Sequence, residues 1–394
     1  MHIRRLQFTT FRNYQHLNLD LPNGRLLFLG DNAQGKSNLL EAVHLLASGR
    51  SSRAGSDAEM IGWTQQAEAT QPFARLGTAV ERQDGDVQLE LVVAGQSSQQ
   101  LGPAQRAGKR YRVNGIPRRA VDFVGQLRAV LFTADDLEII SGSPSVRRAY
   151  LDAALAQLDR AYYMAQQRYT RIMQQRNATL RRIREGMAAQ DELFLWDDNF
   201  SREGATIIAA RQRAIQALSE SSVDYHRQLA GGVDETLSLT YEPALGDDFK
   251  RMLQPGATNE AVQKLFATAL AAQRRREIGA GVSLVGPHRD DVSVLLNGVS
   301  AASFGSRAQI RTAALALRLA EARMLMAGGT DTPVLLLDDI VSELDGRRRA
   351  SVLAGLEGFE QVWFTATTES WLPEDFVRDC AAVFTVSGGQ VTPA

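Results

Sequence analysis

A phosphate-loop pattern near the N-terminus constrains this chain more than any other stretch of its sequence. The pattern lies between an apolar run, residues 26–29, and a helical pattern that starts at Asn38, and it reads Gly30-Asp31-Asn32-Ala33-Gln34-Gly35-Lys36-Ser37. A strand, a GxxxxGKS loop and a helix in this order predict backbone N–H groups that surround a nucleotide's phosphates. An ordinary glycine-rich turn is the alternative interpretation, and the flanking patterns count against it.

Two side chains at the end of the loop have predicted roles in nucleotide binding. Lys36 is expected to reach the β- and γ-phosphates, and the Ser37 hydroxyl is expected to bind Mg²⁺. The full predicted nucleotide-binding set is Gly30, Asp31, Asn32, Ala33, Gln34, Gly35, Lys36, Ser37 and Asn38.

Composition bounds the class of protein. The chain has 394 residues, of which 44% are hydrophobic, so it is long enough for two or three domains. Neither a signal peptide nor a run long enough to span a membrane is evident, and we expect a soluble cytoplasmic protein with no membrane partner. Cys380 is the only cysteine, which excludes an intrachain disulfide. A net charge of −1 means that any contact with nucleic acid must come from a local patch.

Alternating apolar residues predict strands on both sides of the phosphate loop. Two short strands are expected before it, and residues 73–81 and 87–93 are expected to pair with each other. Asn114-Gly115 predicts a tight hairpin turn. Together these strands predict an antiparallel β patch beside the nucleotide core.

From about Arg147 the pattern becomes helical. Apolar residues from Leu151 to Ile172 recur in alternating steps of four and three, which predicts one long helix. Residues from Ile208 to Leu229 predict a second helix, with Gly186 near the bend between them. The two helices are expected to pack as an antiparallel pair.

The first of these helices carries many arginines and few acids. A solvated face is one interpretation, because charge usually marks no more than solubility. Contact with a nucleic-acid backbone is the other, since arginines spread along a rod can follow a duplex without reading its bases. The candidate DNA-binding residues are Arg171, Arg176, Arg181 and Arg182.

The C-terminal third supplies further candidate site residues. Ser306 precedes an alanine-rich helix, so its hydroxyl and the first helical amides either face an anion or simply cap the helix. Residues 334–337 predict a buried parallel strand that ends in Asp338 and Asp339, where open α/β sheets place ligands. Asp338 is expected to hold Mg²⁺ through water, and Asp339 to orient or deprotonate the attacking water. A solvent-facing turn is the alternative.

His288 stands in the segment Pro287-His288-Arg289-Asp290-Asp291 and permits a metal-site interpretation. One imidazole beside adjacent acids is weak evidence for a metal. A structural link between the helical pair and the nucleotide-binding part of the chain is the favoured interpretation.

The combination of these parts resembles an ABC-type ATPase head that is split by an insertion, and more specifically the RecF family of SMC-like ATPases. Four segments carry the resemblance, namely GDNAQGKSNLLEAV at 30–43, DDLEIISGSPSVRRAYLD at 135–152, GPHRDDV at 286–292 and LLLDDIVSELDGRRR at 335–349. The implied fold is α/β, with an ABC-type P-loop head of mixed sheet, flanking helices and antiparallel β patch. A mainly α-helical arm interrupts the head. The head is expected at 1–135 and 283–394, and the arm at 136–282.

The resemblance also implies a function. It implies a homodimer, dependent on ATP and Mg²⁺, that closes on DNA and favours junctions between single and double strands. Slow, DNA-stimulated ATP hydrolysis and the loading of RecA with RecO and RecR in recombinational repair are implied as well. In the ABC arrangement, Ser306 of one subunit completes the site that contains Lys36 of its partner. The expected catalytic residues are therefore Lys36, Ser306 and Asp339.

The signature-like segment departs from the pattern LSRGQ that it resembles. It reads Gly305-Ser306-Arg307-Ala308-Gln309, so the Leu and the Gly are both replaced. Ala308 adds a methyl group where a close approach to phosphate is expected, which leaves the turnover rate open.

Two other protein classes are left open. One is the motor subunit of an ABC transporter, and the long arginine-bearing arm argues against it. The other is a small-molecule kinase, in which the signature-like segment and Ser342-Glu343-Leu344-Asp345 would have no purpose.

Overall fold

The structure is a computed structural model that describes residues 1–63, 71–95, 108–231, 235–253, 256–340, 344–369 and 372–394. It divides into two compact units. Unit 1 comprises Met1–Asp136 and Glu321–Ala394, and unit 2 comprises Leu137–Ala320. Unit 2 therefore continues beyond residue 282, where the sequence pattern placed the end of the arm.

Strands and helices are numbered separately along the chain. The described strands are β1 (His2–Phe11), β2 (Tyr14–Asp20), β3 (Gly24–Leu29), β4 (Phe73–Glu81), β5 (Val87–Ala94), β6 (Gly108–Val113), β7 (Ile116–Arg118), β8 (Ala129–Phe132), β9 (Leu237–Glu242), β10 (Asp291–Leu296), β11 (Val299–Ser300), β12 (Val334–Leu337), β13 (Gln361–Ala366), β14 (Ala382–Ser387) and β15 (Gln390–Pro393). The described helices are α1 (Lys36–Ser48), α2 (Ala120–Phe123), α3 (Leu137–Ser141), α4 (Pro144–Leu158), α5 (Arg160–Arg184), α6 (Glu192–Leu229), α7 (Asp247–Met252), α8 (Asn259–Ala280), α9 (Ala301–Phe304), α10 (Arg307–Ala327), α11 (Gly346–Gly355) and α12 (Glu374–Arg378).

A mixed sheet in unit 1 carries the phosphate loop. Its strand order is β15-β14-β3-β13-β12-β8, and the five strands from β14 to β8 run parallel. All four residues of β12 are buried, as expected for a parallel strand that is covered on both faces. The predicted buried strand before the two aspartates is thus confirmed.

A second sheet in unit 1 is antiparallel, with the order β2-β1-β4-β5-β6-β7. Its first two strands are longer than the sequence pattern indicated, because β1 spans 10 residues. Asn114 and Gly115 form the turn between β6 and β7, and their φ values of 51° and 75° are typical of a two-residue hairpin. The helix α1 packs against β8 of the mixed sheet and β4 of the antiparallel sheet, which explains why it is buried almost all round.

Unit 2 contains a group of packed helices. Helices α5 and α6 pack along each other, and both contact α8. The prediction of a single helix from residue 151 to 172 is wrong, because the helix is interrupted at Asp159, between α4 and α5. The Asp159 carboxylate accepts hydrogen bonds from the N–H groups of Ala161 (2.8 Å) and Tyr162 (3.1 Å), so it caps a new helix.

A three-stranded sheet of order β11-β10-β9 completes unit 2. Asn297 and Gly298 form the hairpin turn that joins β10 to β11. Strand β10 also pairs along its length with β9, which precedes residue 282. This pairing is the physical reason why the segment after residue 282 is compact with the helices of unit 2.

Candidate functional site

The phosphate loop joins β3 to α1 in unit 1, and two of its glycines are required by close packing. A Cβ atom on Gly30 would lie 2.2 Å from the Val386 carbonyl oxygen. At Gly35 the φ angle is 119°, and a Cβ atom would lie 2.6 Å from the Asn13 side chain. No larger residue fits at either position without displacing the backbone or the side chains around it.

Residues outside the phosphate loop form hydrogen bonds with it. The Asn13 amide donates to the Gln34 carbonyl oxygen (2.9 Å), and the Tyr14 hydroxyl donates to the Gly35 carbonyl oxygen (2.9 Å). The Gln34 side chain accepts a hydrogen bond from the Gly388 N–H group (2.7 Å). The loop is therefore supported by the turn between β1 and β2 and by the turn between β14 and β15.

Lys36 is the first residue of α1 and lies under the loop. Only 6% of its surface is exposed, and its ammonium donates hydrogen bonds to the carbonyl oxygens of Gly30 and Asp31. Burial lowers the pKa of Lys36, and the nearby carboxylates of Asp339 and Asp338 oppose that effect. The loop lysine and both aspartates after β12 thus lie in one neighbourhood.

Ser37 and Asp338, the two residues expected to bind Mg²⁺, contact each other directly. The Ser37 hydroxyl donates to Asp338 Oδ1 at 3.0 Å. Burial raises the pKa of Asp338, while hydrogen bonds from Ser37 and Thr365 and the positive charge of Arg53 lower it. A hydroxyl and a carboxylate side by side are the hard oxygen donors that Mg²⁺ accepts when phosphate oxygens and water complete its coordination. Within the described residues no group of three or more His, Cys, Asp or Glu side chains forms a protein-only metal cage.

Thr365 is a site residue that the sequence pattern did not single out. Its hydroxyl donates to Asp338 Oδ1 (3.0 Å) and accepts from the Asp339 N–H group (2.9 Å). Asp339 has a φ of 57°, a left-handed conformation that Asp tolerates better than most residues. The signal for Thr365 was its place near the carboxyl end of a parallel strand, because β13 lies next to β12 in the sheet.

Arg53 also lies near the predicted Mg²⁺ ligands. It is exposed, and its positive charge opposes the rise in the pKa of Asp338 that burial causes. Because it follows α1 in an irregular segment, no local pattern assigned a role to Arg53.

Ser306 belongs to unit 2, whereas Lys36 and Asp339 belong to unit 1. Ser306 is exposed at the start of α10 and forms a reciprocal cap with Gln309. Its hydroxyl accepts from the Gln309 N–H group (3.2 Å), and its own N–H group donates to Gln309 Oε1 (2.8 Å). The capping role is thus observed, and the anion-facing role stays a prediction.

The arginines of α5 divide into two kinds. Arg171, Arg181 and Arg182 are exposed, and Arg182 lies 3.3 Å from the Glu192 carboxylate. Arg176 is fully buried, so its inclusion among the DNA-contacting residues is wrong. Its guanidinium binds Asp197 (2.8 Å), Glu277 (2.6 Å) and the Ser283 hydroxyl (2.8 Å).

His288 is held by two hydrogen bonds within unit 2. Its Nδ1 atom lies 2.7 Å from the Tyr169 hydroxyl, and its Nε2 atom lies 3.2 Å from the Ser283 carbonyl oxygen. Burial lowers the pKa of His288 to about 4. Both ring nitrogens are engaged, so the imidazole links α5 to the segment before β10 and has no nitrogen left for a metal.

The segment after β12 is described only in part. Ser342 and Glu343 lie outside the described residues. Leu344 is buried, and the Asp345 carboxylate caps α11 by accepting a hydrogen bond from the Arg348 N–H group (2.9 Å).

Comparison with known proteins identifies the family of this chain. The family described as RecF/RecN/SMC N terminal domain matches residues 2–389. The DNA replication and repair protein RecF of Chloroflexus aurantiacus is 40% identical over 399 residues, which cover 99% of each chain. The chain belongs to the RecF family. The RecF protein of Geobacillus thermodenitrificans is 32% identical over 394 residues, again with 99% of each chain covered.

Solved structures support the fold of this RecF-family chain. A structure of the recombination mediator protein RecF with ATP matches with a TM-score of 0.84 and 29% identity, and covers 100% of this chain and 97% of that one. An Smc head bound to a domain of ScpA matches with a TM-score of 0.52 and 14% identity, which supports the fold alone. The predicted α/β class, an SMC-like ATPase head with a helical arm, is therefore confirmed. None of the described helices is long and apolar enough to cross a lipid bilayer.

Proposed function

We propose that this RecF-family chain is an ATP-dependent DNA-binding protein of recombinational repair and of gap repair at replication forks. The observation that carries the proposal is the meeting of the Ser37 hydroxyl and the Asp338 carboxylate beside the phosphate loop that contains Lys36. The names of its relatives, DNA replication and repair proteins and a recombination mediator with ATP, support the same function.

The nucleotide site would work through a few side chains of unit 1. Lys36 would bind the β- and γ-phosphates of ATP, and Ser37 with Asp338 would hold Mg²⁺. When bound, Mg²⁺ neutralises the charge that develops on the transferred phosphoryl group. Asp339 would orient the attacking water and accept its proton, while Thr365 fixes both aspartates through its hydroxyl.

The second half of the site would come from a partner. In a homodimer of the ABC type, Ser306 of one subunit faces the γ-phosphate that is bound by Lys36 of the other. Ala308 and the short Asp339 side chain are consistent with slow turnover, because each reduces contact with phosphate or water. Slow, DNA-stimulated hydrolysis would keep the closed dimer on DNA for long periods.

The exposed arginines of α5 would contact DNA. Arg171, Arg181 and Arg182 lie along one helix, and such a row can bind phosphates without reading the sequence. The resemblance to the family extends the proposal to single-strand/double-strand junctions, to RecO and RecR as partners in loading RecA, and to a cytoplasmic location. A solved relative is described as a recombination mediator in the RecFOR pathway, which supports these partners.

The two other classes have less support. An ABC transporter motor and a small-molecule kinase both use phosphate loops. Relatives that cover nearly the whole chain are named for DNA replication and repair, and the signature-like segment has no role in a kinase.

A gel-shift titration tests the proposed function. Blunt duplex, single strand and gapped DNA are each titrated with the protein, with and without ATP and Mg²⁺. We expect the tightest binding to gapped DNA with ATP, and a loss of that gain in the Lys36→Met variant. Equal binding with and without ATP on every DNA would contradict the proposal.

A further inference from the structure

The start of α10 is attached to the end of α6 through a chain of hydrogen bonds. The Gln309 amide nitrogen Nε2 donates to Glu235 Oε1 at 2.6 Å. The other carboxylate oxygen of Glu235, Oε2, lies 3.2 Å from Nε2 of His226, which stands in the last turn of α6. All of these residues belong to unit 2, and all lie in its described part.

Glu235 and the Ser306 N–H group together fix the orientation of the Gln309 amide. A carboxylate only accepts hydrogen bonds, so the group that faces it must be the amide NH₂. The Gln309 oxygen is then turned toward Ser306, where it accepts the Ser306 N–H group at 2.8 Å. The Ser306 N–H group requires the same orientation, because a backbone N–H can only donate.

The orientation of Gln309 in turn determines what Ser306 offers to a ligand. The Ser306 N–H group is occupied by Gln309 Oε1, and the Ser306 hydroxyl oxygen accepts the Gln309 N–H group. The hydroxyl hydrogen is therefore the polar hydrogen of Ser306 that stays available for an anion. The exposure of Ser306 gives that hydrogen access to one.

His226 holds the other end of this series of hydrogen bonds. Its side chain is fully buried, and burial lowers its pKa, so the ring is neutral near pH 7. A neutral imidazole has one N–H group, and the Glu235 carboxylate requires that it be on Nε2. Among the described residues His226 Nδ1 has no hydrogen-bond partner, which agrees with a bare nitrogen at that position.

We propose that Glu235 and Gln309 are positioning residues. They orient the Ser306 hydroxyl toward the γ-phosphate held by a partner subunit, and they couple that orientation to the position of the end of α6. The inference rests on the proposed function for the role of Ser306. The link between Glu235 and the cap of α10 is a property of unit 2 alone. A movement of the end of α6 would displace Glu235 and, through Gln309, change the orientation of Ser306.

The variant Glu235→Gln tests the inference, because it keeps the side-chain shape and removes the requirement that a donor face residue 235. We expect kcat for ATP hydrolysis to fall roughly tenfold, as for the loss of a hydrogen bond to a charged group, with the Kd for ATP unchanged. We also expect faster amide exchange in residues 303–312 of the nucleotide-free protein, because the cap on Ser306 loosens.

A swap of the two side chains provides the rescue. Gln309→Glu alone places two carboxylates together and is expected to be as impaired as Glu235→Gln. The double variant Glu235→Gln/Gln309→Glu restores one donor facing one acceptor, and a Glu at position 309 still accepts the Ser306 N–H group. Turnover and exchange protection should both return to within about threefold of the parent protein. A merely local loss of stability would not be repaired by adding the second substitution.

Glu220→Gln is the matched control, because exposed Glu220 on α6 also accepts a hydrogen bond from a glutamine amide, that of Gln216 (3.1 Å). It should leave turnover and exchange unchanged. Parent-like exchange in Glu235→Gln, or a double variant no better than its single variants, would overturn the inference. If the parent protein does not hydrolyse ATP, the proposed function fails, and the exchange measurements still decide the role of Glu235.

Discussion

Lys36 carries the positive charge that the phosphate loop presents to a nucleotide. Lys36→Met should lower the affinity for ATP at least tenfold, about 1.4 kcal/mol, because the ammonium that holds the β- and γ-phosphates is lost. Calorimetric titration with ATP measures this change. The thermal unfolding midpoint serves as the control for folding, and an unchanged ATP affinity would contradict the assignment of the loop.

Asp339 is expected to act on water and not on nucleotide affinity. Asp339→Asn keeps the shape of the side chain and removes its negative charge, so ATP should still bind while hydrolysis falls at least tenfold. Closed dimers should then accumulate, which light scattering in the presence of ATP detects. Normal turnover in this variant would remove Asp339 from the mechanism.

His288 makes the stability of the fold depend on pH. Its pKa is about 4 in the folded chain and 6.5 in an ordinary setting, so the unfolded chain binds the proton first as the pH falls. Stability is therefore complete above pH 6.5 and is lost between pH 6.5 and 4, by at most about 3 kcal/mol. Urea unfolding across this range should give a flatter profile for His288→Gln. Identical profiles for variant and parent would contradict the burial of a neutral imidazole.

Single residues were predictable where a short motif fixes their chemistry. Ser37 and Asp338 are far apart in sequence, yet each ends a recognisable strand-and-loop pattern, and the structure brings them to 3.0 Å. Thr365 has no such motif, because its role depends on which strand lies beside β12. Arg176 was misassigned because its acidic partners come from two other helices, and no local pattern reveals them.

At the scale of elements, the arginines of α5 include exposed side chains that can contact DNA and a buried one that cannot. If the exposed face follows DNA phosphates, replacing Arg171, Arg181 and Arg182 with Gln should weaken binding to all sequences alike. The slope of log affinity against log salt should decrease by about 0.9 for each lost phosphate contact. Fluorescence anisotropy at several salt concentrations measures both effects. An unchanged slope would leave these arginines as a solvated face.

Arg176→Gln is the contrasting variant within the same helix. It leaves the buried Glu277 carboxylate without its cation, which should reduce the free energy of unfolding by about 3–5 kcal/mol. The salt slope of the protein that stays folded should not change. A decrease in slope without a loss of stability would return Arg176 to the DNA-contacting set.

Elements were predicted well where periodicity is long and flanks are clear, as for the strands around the phosphate loop. The break at Asp159 was missed because the apolar seam continues across it from α4 into α5. The signal was present, since Asp is a strong N-cap residue and its carboxylate caps two amides here. Periodicity alone cannot separate one helix from two when the same stripe faces the core.

At the scale of the whole molecule, the phosphate loop and the signature-like segment belong to different compact units. Sequence motifs identified both segments but not the extent of unit 2, because the pairing of β10 with β9 joins residues that are 49 to 59 positions apart. We propose that two copies of the chain share each ATP site, one through Lys36 and Asp339 and the other through Ser306.

A mixing experiment tests whether two copies share each ATP site. Lys36→Met and Ser306→Arg should each be inactive alone, because the first loses phosphate binding and the second places a bulky side chain where the partner's γ-phosphate must lie. Random pairing of differently tagged copies makes about half of the dimers heterodimers. One site of each heterodimer then contains both substitutions, and the other contains neither.

A shared site predicts that DNA-stimulated ATP hydrolysis returns on mixing, at a level below that of the parent protein. Copurification through the two tags confirms that heterodimers have formed. If heterodimers are confirmed but hydrolyse no ATP, that result contradicts a shared site that works independently of the second site in the dimer. A Ser306→Arg protein that hydrolyses ATP normally by itself would contradict the shared site altogether.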